Sequence, residues 1–167
     1  RRVLFRSNDG GGNSGSDFLL IRFNNDVPQS YNVRYNGWNA NTSASTSGVG
    51  IHHPSGDIKK ISTYTSTLQS TQWGSASGSH WRVYWVSTSN GHGVTEGGSS
   101  GSPLFDSNGR IVGTLTGGSS YCSSPNSPDQ YGKMSYHWTS NGNTNAERLR
   151  PWRSEEHTSE LQSPDHL

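Results

Sequence analysis

One hydroxyl stands apart from the many in this 167-residue chain. The hexapeptide Gly98-Ser99-Ser100-Gly101-Ser102-Pro103 crowds small residues around Ser100. A serine hydroxyl is a weak nucleophile until a neighbouring base takes its proton. Once it attacks a carbonyl, the oxyanion that forms needs preorganised N–H donors. Glycines at 98 and 101 give the backbone conformations that other residues resist, so N–H groups can turn inward beside the hydroxyl. The chemistry such a turn serves is acyl transfer. A Ser/Gly-rich loop is the other reading of the hexapeptide, and the chain has several such loops.

The wider run Gly93-Val94-Thr95-Glu96-Gly97-Gly98-Ser99-Ser100-Gly101-Ser102-Pro103-Leu104-Phe105 decides between them. It resembles the active-site segment of secreted bacterial lysyl endopeptidases, a branch of the chymotrypsin-like serine peptidases. The resemblance makes Ser100 the nucleophile and the N–H groups of Gly98 and Ser100 the oxyanion hole. Ser16-Asp17-Phe18-Leu19-Leu20-Ile21 resembles the family's aspartate segment. Asp17 would orient the catalytic histidine and stabilise its imidazolium form. In this family the triad runs His, Asp, Ser along the chain. None of His52, His53, His80, His92 or His137 precedes Asp17. The histidine is therefore expected upstream of Asn8, and this chain by itself is expected to be inactive although its parent gene encodes an enzyme. Ser99 is informative too. In trypsin-type zymogens an aspartate before the nucleophile binds the freed N-terminus, an ion pair that serine cannot make.

Specificity is read in the same way. Ser127-Pro128-Asp129-Gln130-Tyr131-Gly132 resembles the segment carrying the acid of the primary pocket. Asp129 there would pair with a substrate Lys or Arg, because a buried cation without a partner is costly. Trp73, in Gln72-Trp73-Gly74, matches a family tryptophan that shapes the pocket for lysine. Leu115-Thr116-Gly117-Gly118 resembles the strand whose backbone pairs with substrate, with Thr116 where the compared enzyme has a histidine stacked on that tryptophan. Threonine cannot stack, so both Lys and Lys/Arg selectivity stay open. Glu selectivity fits Asp129 poorly, since like charges repel. A catalytically dead relative acting as a secreted binding or adhesion module is the other class of function. The expected partners are polypeptides with a basic residue before the scissile bond, and the parent enzyme is expected to be monomeric.

His52-His53 invites a metal reading, but neighbours along a strand point to opposite faces. No metal and no cofactor is expected. A net charge of +1 gives no reason to expect nucleic acid or an anionic membrane as partner. No apolar run approaches the length of a membrane span. Abundant Ser, Gly, Asn and Thr with scarce Lys suit an exported bacterial protein. Cys122 is the only cysteine. The resemblance pairs it with a cysteine near the mature N-terminus, outside this chain.

The elements that must hold these residues are strands. Candidates are 17–23, 31–38, 48–53, 59–64, 81–86, 102–105, 110–115 and 132–138. Trp81-Arg82-Val83-Tyr84-Trp85-Val86 alternates as a half-buried strand should, and Asn90-Gly91 and Ser107-Asn108-Gly109 supply turns. Residues 145–149 suggest a short helix capped by Thr144 or Asn143. The resemblance turns this all-β pattern into a chymotrypsin-like double antiparallel barrel. Residues 8–30 would end the first barrel and carry Asp17; residues 31–152 would form the second and a short C-terminal helix. The two ends read differently. Codons AGA TCG GAA GAG CAC ACG TCT encode Arg153–Ser159, and their reverse complement encodes Arg1–Ser7. Residues 1–7 and 153–167 resemble translated sequencing adapter and are expected to lie outside the fold.

Overall fold

The structure is a computed structural model that describes the backbone of residues 3–8 and all of residues 13–153. Its strands are β1 (Val3–Asn8), β2 (Leu19–Phe23), β3 (Gly48–His52), β4 (Lys60–Tyr64), β5 (Gln69–Thr71), β6 (His80–Val83), β7 (Ser87–Thr88), β8 (Gly91–His92), β9 (Pro103–Asp106), β10 (Ile111–Gly118) and β11 (Asp129–Lys133). Two short helices follow, α1 (Met134–Thr139) and α2 (Arg150–Arg153).

Seven strands form one antiparallel sheet in the order β4-β3-β9-β10-β11-β6-β5. Its outer members, β4 and β5, are separated in sequence only by residues 65–68. A link that short cannot cross an open seven-stranded sheet. β4 and β5 are thus two halves of one bent strand that leaves β3 and joins β6. The Val86 N–H donates to Thr63 O (2.8 Å) across the seam. The sheet therefore closes into a barrel, which removes its edges. This is the all-β, chymotrypsin-like barrel that the resemblance implies.

Aromatic side chains fill it. Tyr64, Trp81, Trp85 and Tyr131 are buried together with Leu68, Val83, Leu104, Val112 and Leu115. Trp85 meets Tyr64 and Tyr131 edge-on, at interplanar angles of 66° and 80°. Each large ring buried contributes roughly 3 kcal/mol, which offsets a hydrophobic content of only 27%. The alternation of β6 is as read: Trp81, Val83 and Trp85 face in, while Arg82 and Tyr84 are half-buried.

Several expected elements differ. Residues 31–38 form no strand; Gln29–Tyr31 is a 3-10 turn and only Trp38 bridges, to Ile111. Tyr31, Val33 and Tyr35 are exposed, and alternation without a partner strand does not make a strand. The expected strand 132–138 ends at Lys133, and α1 takes over at Met134. Met134 and His137 are both buried and three apart, a helical spacing that also reads as loose alternation. The expected helix at 145–149 is a 3-10 turn, Asn145–Glu147, with Thr144 and Glu147 capping each other reciprocally. Of the adapter-like start, residues 3–7 lie in β1. β1 pairs antiparallel with β2, from Val3 opposite Phe23 to Asn8 opposite Leu19. An unpaired strand edge recruits any extended segment within reach. Residues 154–167 of the adapter-like tail lie outside the described residues.

Candidate active site

Ser100 lies on a tight turn between Glu96 and Pro103. Gly98 and Gly101 have φ of 93° and 77°, a region where a side chain is strained. The turn is pinned to the barrel on both sides. The Gly101 N–H donates to Leu115 O (2.8 Å), and the Leu115 N–H donates to Ser102 O (2.9 Å). Ser100 is exposed, whereas Ser99 is buried. Among the described residues, no backbone carbonyl takes the N–H of Gly98 or Ser100. Two such N–H groups beside an exposed hydroxyl could donate to an oxyanion.

Asp17 reaches the same region from the start of β2. It holds φ of 64°, an uncommon value for a non-glycine residue, although aspartate tolerates it better than most. Its neighbour Ser16 fixes it. The Ser16 N–H donates to Asn141 Oδ1 (3.1 Å), the Asn141 amide donates to Ser16 Oγ (2.7 Å), and Gly132 leaves room for the Ser16 carbonyl, which any Cβ there would strike. Thr114 Oγ donates to Asp17 O (3.3 Å). Asp17 and Gly101 border one cleft of about 470 Å³ between the start of β2, residues 34–38, β10 and α1. The structure thus brings Asp17 and Gly101, the residue after Ser100, to a common space.

His137 also borders the cleft, but it is poorly suited to act as base. Its Nδ1 lies 2.7 Å from Ser16 Oγ and its Nε2 lies 3.0 Å from Thr114 Oγ1, so both nitrogens are engaged. Complete burial lowers its pKa from 6.5 to about 3. Among the described residues, the other histidines are engaged elsewhere. His80 lies between Ser79 and Thr116, His92 reaches Trp85 O, and His53 is exposed beside Asp57 O. His52 points to the opposite face from His53 and is buried against Ser99 and Ser62.

Asp129 opens β11 and has no exposed surface. Its Oδ2 accepts from Trp85 Nε1 (2.6 Å), Thr95 Oγ1 (2.7 Å) and Ser120 Oγ (2.6 Å); Oδ1 accepts from the Ser120 N–H (3.1 Å). A polar group buried this deeply is costly unless it is hydrogen-bonded in this way. Ser120 and Trp85 carry no motif that would have marked them, and Thr95, although inside the run 93–105, has nothing there that points to Asp129. Gly118, paired with Asp129 across β10 and β11, lies so close that a Cβ would overlap the carboxylate. Gly117 lies against the Trp73 ring, where a Cβ would come within 2.9 Å. Trp73, Gly117, Gly118 and Asp129 are therefore contiguous. Thr116 turns its hydroxyl to His80 Nε2 (2.9 Å). Cys122 is exposed, with Sγ 3.7 Å from Glu96 Oε1.

Known proteins resemble this chain in sequence and in fold. The lysyl endopeptidase of Pseudomonas aeruginosa is 40% identical over 117 residues, which span 66% of this chain and 23% of that protein. The chain therefore spans about a quarter of that curated relative. The crystal structure of an inactive-form mutant of Rv3671c from M. tuberculosis superposes with a TM-score of 0.50 at 14% identity, covering 81% of this chain and 60% of the other, a likeness of fold. The family model for the lysyl endopeptidase C-terminal domain matches residues 4–132. By that match the chain belongs to the lysyl endopeptidase family.

Proposed function

We propose that this chain is the nucleophile-bearing part of a secreted serine endopeptidase that cleaves polypeptides after Lys, or after Lys and Arg. The observation that carries the proposal is the exposed Ser100 on a turn whose flanking N–H groups have no backbone acceptor, beside a cleft that Asp17 borders. In the reaction, Ser100 Oγ adds to the scissile carbonyl carbon as a histidine Nε2 takes its proton. The N–H groups of Gly98 and Ser100 hold the oxyanion. The histidine then gives the proton to the departing amine, leaving an acyl-enzyme. Water, deprotonated by the same histidine, releases the acid and restores Ser100. Asp17 orients that histidine, which we place upstream of Asn8. Without it the chain would be slower by about 10⁴ or more. The adapter-like ends and the assignment of residues 8–30 and 31–152 to two barrels belong to the same proposal, as does the pairing of the exposed Cys122 with an upstream cysteine.

Asp129 supplies the selectivity. A lysine ammonium entering past Trp73 and Gly117 meets a carboxyl group that accepts four hydrogen bonds, and a charge-assisted contact there outweighs a neutral one. The complete burial of Asp129 requires the side chains of Thr95 and Ser120 to yield as the ammonium arrives. The test uses the full-length protein on matched peptides with Lys, Arg or Gln before the scissile bond. Asp129→Asn, which keeps the shape and loses the charge, is expected to lower kcat/KM for Lys at least 100-fold, or about 3 kcal/mol, with little change for Gln. Unchanged selectivity for basic residues would remove Asp129 from the pocket. An upstream reading frame with no histidine would favour the binding module instead.

A further inference from the structure

The last residue of β3, His52, lies beneath the nucleophile turn with 2% of its surface exposed. Its Nδ1 is 2.9 Å from Ser99 Oγ, and its Nε2 is 2.9 Å from Ser62 Oγ on β4. Ser62 and Ser99 are as deeply buried as the imidazole. Ser99 Oγ also accepts the Glu96 N–H (3.4 Å). The residues after His52 hold the same turn. The Ser55 N–H donates to Gly97 O (2.7 Å), and Ser55 Oγ donates to Glu96 Oε2 (2.9 Å). The carbonyl of His53 lies 3.2 Å from where a Cβ of Gly98 would stand. Residues 52–55 therefore hold Glu96, Gly97, Gly98 and Ser99 in turn.

Ser99 separates the two N–H groups assigned to the oxyanion hole, so its backbone angles set where both point. Resting on the reading of Ser100 as nucleophile, we propose that His52 is a positioning residue that fixes the oxyanion turn through Ser99. A serine at 99 cannot bind a freed N-terminus, and His52 provides an internal anchor in its place. The turn is then built into the barrel and needs no chain cleavage to form. Burial lowers the basicity of the imidazole and favours the neutral ring. A neutral ring has one donor and one acceptor nitrogen, and each of the two serine hydroxyls can complement either. This matches the chemistry of the site, in which neither partner of the ring is a carboxylate.

Three substitutions separate positioning from simple support. His52→Leu fills the space without a polar atom. His52→Asn places an amide near the position of Nδ1 and keeps the contact to Ser99. His52→Gln places one near Nε2 and keeps only the contact to Ser62. In the full-length enzyme, His52→Leu and His52→Gln are expected to lower kcat per titrated active site on the order of 10–100-fold with KM within about twofold, as for loss of part of an oxyanion hole. His52→Asn is expected to recover most of that loss. Equal kcat in all three variants, with only the melting temperature changed, would overturn the proposal. Amide hydrogen exchange at Gly98–Gly101 gives a readout that needs no activity. Exchange should quicken in the Leu and Gln variants and not in Asn; the same exchange in all three would overturn the proposal. If the unsubstituted enzyme cleaves no peptide, the peptidase reading falls, and the exchange experiment still decides the role of His52.

Discussion

At Gly118 a single hydrogen separates a working pocket from a collision. A methyl group there would overlap the Asp129 carboxylate and crowd its Cα. Gly118→Ala must therefore displace the acid or part β10 from β11. Overpacking of this kind costs about 1–3 kcal/mol. Chemical denaturation should show that loss, together with a fall in Lys selectivity that tracks Asp129→Asn. A variant as stable and selective as the parent would mean that the strands part more easily than their pairing suggests. Ser100, Gly98, Asp17 and Asp129 stand out as candidates in the sequence because small or charged residues at fixed spacing form local patterns. Thr95, Ser120 and the pair His52–Ser99 do not. Their partners lie 34, 9 and 47 positions away, and nothing local marks a serine that will meet a histidine across a barrel.

At the level of elements, β2 carries the weakest design. Leu19, Ile21 and Phe23 are 63%, 41% and 45% exposed, an apolar row that β1 covers along its hydrogen-bonding edge and not on its face. Exposed apolar strands of this kind associate. This chain is expected to self-associate at micromolar concentrations, and Ile21→Thr with Phe23→Thr should suppress that without unfolding the barrel. Light scattering and a near-ultraviolet spectrum of the buried tryptophans check both parts. A monodisperse parent chain would refute the expectation. The same element shows how far periodicity can be read. Of the expected strand 17–23, residues 19–23 form one because β1 pairs with them, whereas 31–38 has comparable alternation and no partner strand. Residues 132–138 changed from strand to helix at Lys133, because spacing of three and alternation cannot be told apart over so short a run.

For the whole molecule, the barrel stays closed around imidazoles that must remain neutral. His137 has a folded pKa of about 3 against 6.5 unfolded. As pH falls below 6.5 the unfolded chain takes up the proton first. Stability present above that pH is therefore lost progressively down to about pH 3, at about 1.4 kcal/mol per unit for this group. Burial shifts His52 in the same direction. Urea titrations between pH 7 and 4 should show a steep decline. In His137→Gln, less stable at pH 7, the decline should be shallower. An equal slope in both would show that other groups dominate acid unfolding.

The sequence alone marked the candidates for chemistry and the family they belong to. The serine turn with its glycines, the segment around Asp17 and the segment around Asp129 are each short patterns within a few residues, and together they pointed to one peptidase family. It also determined the fold class, through short alternating runs between turns. Only the tertiary structure decided that β4 and β5 are one bent strand closing a barrel. It also put Asp17 and Gly101 on one cleft, and it buried His52 under Ser99. Those are contacts between segments far apart in the chain, fixed by which strands pair and which side chains fill the space between them, and no local pattern encodes them.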